Sequence, residues 1–103
     1  MTKSPNHLSP ESKKIWKSIC EEYVIDPAGE IILGALLEAR DRREEARALI
    51  AKDGTYTKNR FNEARVHPAV AVERDSAAIM TRCWRLLGFD QEPRGELGRP
   101  AGR

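Results

Sequence analysis

The sequence predicts an all-α protein: a small helical bundle around one long central helix, with a short loop or hairpin between the second and third helices. Three observations predict it. Apolar residues recur at helical spacing in three separate stretches. Each stretch opens on a capping residue followed by proline (Ser9-Pro10, Asp26-Pro27, His67-Pro68), a pairing that suits the first helical position because proline lacks an N–H the helix could not use there. Between the first and the last of them, one segment, Gly54 to Arg65, lacks a helical pattern.

Met1 to Leu8 is polar and aperiodic, and reads as a flexible leader that includes His7. Ser9-Pro10-Glu11 starts the first helix, whose apolar face is Ile15, Trp16, Ile19, Cys20, Tyr23 and Val24. Lys13, Lys14 and Lys17 share the opposite side, as a solvated face or as a surface for phosphates.

The central helix is expected from Asp26 to Lys52-Asp53-Gly54, about 38 Å at 1.5 Å per residue, with Gly54 left-handed at its end. Gly29 and Gly34 weaken it by roughly 1 kcal/mol each relative to alanine. Its first half is apolar nearly all round (Ile31, Ile32, Leu33, Ala35, Leu36, Leu37), the mark of a helix covered on more than one side. Either it is an ordinary core helix, or it also packs against other copies of the chain. The second reading is favoured, with Ile32, Leu33, Leu36 and Leu37 as the interface, because so short a chain has little else to cover them. Past Ala39 the charges alternate, and Arg40 to Arg47 reads as exposed ion pairs worth a few tenths of a kcal/mol each.

Thr55, Tyr56 and Thr57 suit a strand and Asn59 a turn. Lys58, Arg60 and Arg65 face a single acid, Glu63, with Tyr56 and Phe61 interleaved. Such residues on a loop can grip a nucleic-acid backbone and stack on bases; equally, Phe61 can pin the loop to the core. In the third helix the apolar side is Val70, Ala71, Ala77, Met80, Cys83, Trp84 and Leu87, widened by Ala78 and Ile79. Gly88 is its left-handed cap, with Phe89 folding back. Residues 90–103 are rich in glycine, proline and arginine and read as a flexible tail.

The 18 Lys and Arg nearly balance the 16 Asp and Glu, for a net charge of +2. That excludes a strongly basic nucleic-acid module, so any DNA binding rests on local clusters or on several copies together. With no apolar run of membrane-spanning length and no signal core, the chain is expected in the cytoplasm, with no membrane partner. Cys20 and Cys83 sit among apolar neighbours and read as buried thiols. His7 and His67 are isolated, no glycine-rich phosphate loop or metal-ligand spacing occurs, and no enzyme, metal or cofactor is expected. A DNA-reading helix-turn-helix is also poorly matched, since the second helix begins apolar all round.

Taken together, Leu8 with Trp16, the Asp26 start of a long Ala/Leu-rich helix, Asp53-Gly54 with its insert, His67-Pro68-Ala69-Val70 and Leu87-Gly88-Phe89 resemble the small terminase subunit of tailed bacteriophages, in its P27 family. The likeness covers roughly Leu8 to Phe89. The proline-arginine segment that commonly follows Leu-Gly in that family is displaced here to Pro93-Arg94, and the frequent N-terminal extension is reduced to the leader. The resemblance implies a non-catalytic, ring-forming oligomer that recognises viral double-stranded DNA and regulates the large terminase subunit in the cytoplasm of an infected bacterium. It implies residues 9–89 as the oligomerisation domain. For DNA contact the expected residues are Lys58, Arg60 and Arg65, with Lys13, Lys14 and Lys17 second and Arg94, Arg99 and Arg103 assisting. The alternative is a small helical interaction adaptor that never touches DNA.

Overall fold

The computed structural model describes residues 3–88. The expected Phe89 contact and the tail with Arg94, Arg99 and Arg103 lie outside the described residues. Three helices, α1 (Pro10–Glu22), α2 (Pro27–Asp53) and α3 (Pro68–Leu87), and a two-stranded ribbon of β1 (Tyr56–Lys58) and β2 (Ala64–Val66) make up the protein. The all-α bundle with a hairpin between its last two helices is therefore what the chain adopts.

Each helix starts where its cap-proline pair stands. The Ser9 hydroxyl accepts from the Ser12 amide, Asp26 from Gly29, and His67 from Ala69. Gly88 ends α3 in the left-handed conformation at φ 80°, which glycine adopts without a Cβ penalty. Gly54 differs from expectation: at φ 88° and ψ 161° it occupies an extended region open almost only to glycine. The chain thereby swings from α2 straight into β1.

Helices α2 and α3 run antiparallel along their length. Asp53 meets His67 at one end, Arg47 Nε donates to Glu73 at 2.8 Å in the middle, and Gly29 lies under Leu87 at the other end. Helix α1 crosses the first half of α2. The molecule measures 58 × 30 × 18 Å with a radius of gyration of 17.2 Å, well above the roughly 13 Å of a compact domain this long; among the described residues, the far half of the α2–α3 pair has no third layer.

The core gathers Leu8, Trp16, Ile19, Leu33, Leu36, Leu37 and Cys83. This corrects the interface expected on α2. Leu33, Leu36 and Leu37 are 0, 3 and 0 % exposed, covered by the chain's own α1 and α3, and Ile32 is half-buried against the same cluster. Two helices laid on different sides of the apolar half suffice to bury its three leucines, while Ile31 stays 75 % exposed. Leu8, read as part of a flexible leader, is buried in that cluster, and His7 Nε2 sits 2.6 Å from Glu38. Val24, expected on the apolar face of α1, is fully exposed because the helix ends at Glu22 and the chain turns away.

Asp41 is the second correction. It is not one of a row of exposed ion pairs but the anchor of α1. Its carboxylate accepts from the Ser9 amide at 2.9 Å, the Ser9 hydroxyl at 2.7 Å and the Ser12 hydroxyl at 2.6 Å. Burial pushes its pKa up, but the hydrogen bonds from Ser12 and Ser9, with Arg40 beside it, outweigh that and hold the carboxyl below its usual range.

Candidate nucleic-acid interface

The ribbon between α2 and α3 is built from local choices. Antiparallel pairing sets Tyr56 opposite Val66, Thr57 opposite Arg65 and Lys58 opposite Ala64. Strand alternation then puts Tyr56, Lys58, Ala64 and Val66 on one face and Thr57 with Arg65 on the other. At the tip, Asn59 organises the turn. Its Oδ1 accepts from the Phe61 and Glu63 amides at 2.8 and 3.0 Å, and its Nδ2 donates to Glu63 at 2.9 Å. Asn62 takes φ 63°, a left-handed position asparagine tolerates better than most residues.

The ribbon buries almost nothing. Tyr56, Phe61 and Val66 are 66, 67 and 55 % exposed. Phe61 therefore does not pin the loop to the core; the Arg60 guanidinium stacks over its ring at 5.1 Å instead. A two-stranded hairpin is marginal alone in water. Its base is clamped by His67, whose backbone amide donates to Thr55 at 2.7 Å. The His67 Nδ1 accepts from the Ala69 amide at 3.0 Å, which leaves the proton on Nε2 to donate to Asp53 at 3.0 Å. One buried imidazole thus caps α3 and holds it to the end of α2. A role at the helix start was legible from His67-Pro68, but the tie to Asp53 was not, because that contact exists only once the two helices are antiparallel.

The predicted cations fall into two groups. Lys58, Arg60 and Arg65 are together on the ribbon and all exposed. Arg65 lies 3.6 Å from Glu63, whereas among the described residues no carboxylate pairs with Lys58 or Arg60. On α1, Lys14 and Lys17 are exposed and Lys13 half-buried. Asp41, where α1 is anchored, is about 18 Å along α2 from Asp53, where the ribbon begins, so the two groups do not form one patch. Among the described residues, no cluster of His, Cys, Asp and Glu is placed to hold a metal ion, and no helix is long and apolar enough to cross a membrane. Cys20 and Cys83 are free, and burial with the nearby Glu30 raises the Cys20 thiol pKa.

A family model described as phage terminase, small subunit, matches residues 11–103. The chain belongs to the phage terminase small subunit family. No curated protein and no solved structure matches it. In this small subunit the matched span takes in both basic groups, the long α2 and the ribbon, so each is part of the family's shared sequence region rather than an appendage to it.

Proposed function

We propose that this chain is a non-catalytic small terminase subunit of the P27 branch. In this reading it assembles as an oligomeric ring, recognises viral double-stranded DNA, and regulates the large terminase subunit during genome packaging in the cytoplasm of an infected bacterium. The packaging role follows from the family. The P27 assignment rests on the Leu8-to-Phe89 pattern, above all His67-Pro68 leading into a helix that ends Leu87-Gly88. Residues 9–89 act as the assembling unit.

One observation carries the DNA contact: an exposed β-ribbon holds Lys58 and Arg60 with the uncovered aromatic rings of Tyr56 and Phe61, and Arg65 on the face opposite Tyr56 and Lys58. A two-stranded ribbon fits a major groove about 12 Å wide, and its cations neutralise the flanking phosphates. Lys13, Lys14 and Lys17 form a second, weaker contact on α1. A net charge of +2 per chain is too small for tight binding by one copy. A ring repeats each cluster, and the phosphate contacts sum.

The test is a salt titration of DNA affinity for the native chain and the Lys58→Ala/Arg60→Ala/Arg65→Ala variant. Each phosphate contact contributes about 0.9 to the slope of log affinity against log salt. Arg65 is partly neutralised by Glu63, so the slope should become shallower by about 1.8 per chain engaged, from two effective contacts. An unchanged slope removes the ribbon from the DNA contact. Size-exclusion chromatography with light scattering tests assembly, and a monomer at every concentration rejects the ring. A monomer or dimer with no DNA affinity supports the interaction adaptor instead.

A further inference from the structure

The bundle leaves an apolar groove of about 510 Å³ open between its three helices. Ile15, Met80 and Trp84 line its apolar part, and Arg40, Arg43 and Arg85 stand around it. Sequence periodicity places Met80 and Trp84 on the core side of α3, yet the core takes Ile79, Cys83 and Leu87, leaving Trp84 41 % exposed. The rim is electrostatically incomplete. Among the described residues, Arg43 Nε is buried without a hydrogen-bond partner, and the other end of that guanidinium reaches its neighbour Glu44 at 3.5 Å. A buried donor left without an acceptor is uncommon enough to need a reason.

A surface of the opposite character lies at the α1–α2 junction. Val24 and Ile31 are 102 and 75 % exposed, the two most exposed large hydrophobic side chains among the described residues. Beside them α1 ends on Glu21-Glu22, both exposed, with no basic residue in its last turn. Acids there oppose the partial negative charge of the helix C-terminus, a local cost the fold itself does not require. On α2, Ile31 and Arg40 lie nine residues apart, which at 3.6 residues per turn puts them on opposite sides of the helix. Ile31 of the knuckle and Arg40 of the groove thus stand on opposite sides of α2.

We propose that the Glu21-Glu22-Val24-Ile31 knuckle of one copy docks in the Arg40-Arg43-Arg85 groove of the next. Two different, complementary patches make a head-to-tail contact, which closes into a ring when the rotation per copy allows. The buried Leu33, Leu36 and Leu37 then hold each subunit together, while the exposed patches join subunits. This inference rests on the oligomeric reading above.

The test uses the full chain and two charge reversals, Glu21→Lys/Glu22→Lys on the knuckle and Arg85→Glu on the groove, measured by light scattering. The first variant improves the helix-end electrostatics of α1, so loss of assembly cannot be ascribed to unfolding; circular dichroism monitors both. Each variant alone should fall from the native oligomer to the 11.6 kDa monomer. Mixed, they keep one good knuckle and one good groove, and should form a two-chain species and nothing larger. A native oligomer whose mass neither reversal changes overturns the proposal while leaving the oligomer intact; the groove then belongs to residues 89–103 or to an acidic foreign partner. A native chain that is monomeric throughout overturns both this contact and the oligomeric reading.

Discussion

Replacing Asp41 with alanine removes three hydrogen bonds at once, from the Ser9 amide, the Ser9 hydroxyl and the Ser12 hydroxyl. A hydrogen bond to a charged group contributes roughly 1.5–3 kcal/mol. The Asp41 side chain keeps 22 % exposure, so water can replace part of what is lost. A discounted 1 kcal/mol per bond gives a total of about 3 kcal/mol. Ser12 is fully buried in the native chain, so its hydroxyl depends on that carboxylate as acceptor. For a chain of this size that loss lowers Tm by roughly 12–24 °C. Thermal unfolding followed by circular dichroism at neutral pH measures it. The same anchor sets an acid limit. Because the folded carboxyl titrates below its usual range, its contribution is fully present above the unfolded value near 3.9 and disappears as pH falls from there through the lower folded value. The alanine variant should therefore lose less stability than the native chain on acidification below about pH 4. A Tm loss under 2 °C, or an acid limb identical in both proteins, would refute the reasoning that Asp41 holds α1 in place.

Substitutions at four further positions separate local from tertiary causes. His67→Ala loses both the α3 cap and the link to Asp53 and should cost about 1–2 kcal/mol. His67→Asn keeps a capping side chain and should recover much of that in urea titrations; equal losses would mean the cap contributes nothing. Gly34→Ala has open space around its new Cβ and should stabilise α2 by up to about 1 kcal/mol. Gly29→Ala puts its Cβ 2.9 Å from Ile25 Cγ2 and 3.0 Å from Asp26 Oδ1, so chemical denaturation should show a net loss. Asn59→Ala removes the acceptor for the Phe61 and Glu63 amides. Hydrogen exchange at those two amides should accelerate at least tenfold while the helices keep their protection, and unchanged exchange would show that the strands alone hold the tip.

The helix starts were legible in the sequence because capping is a short-range matter. Ser9-Pro10, Asp26-Pro27 and His67-Pro68 each act within a few residues of the backbone amide they satisfy. The ribbon followed from the same local logic, a glycine break, β-favouring residues and an asparagine turn. The all-round apolar half of α2 announced that it would be covered, but periodicity carries no label for what covers it. Leu33, Leu36 and Leu37 look the same to a sequence pattern whether α1 and α3 or a second copy lies over them; only the packed bundle assigns them to the subunit's own core. The two glycines of α2 look alike in sequence too, yet Gly29 lies against Ile25, Asp26 and Leu87, while Gly34 faces open space. Asp41 stands in a row of alternating charges, and what makes it the anchor of α1 is the approach of Ser9 and Ser12 from a helix some thirty residues away, a distance that only folding closes.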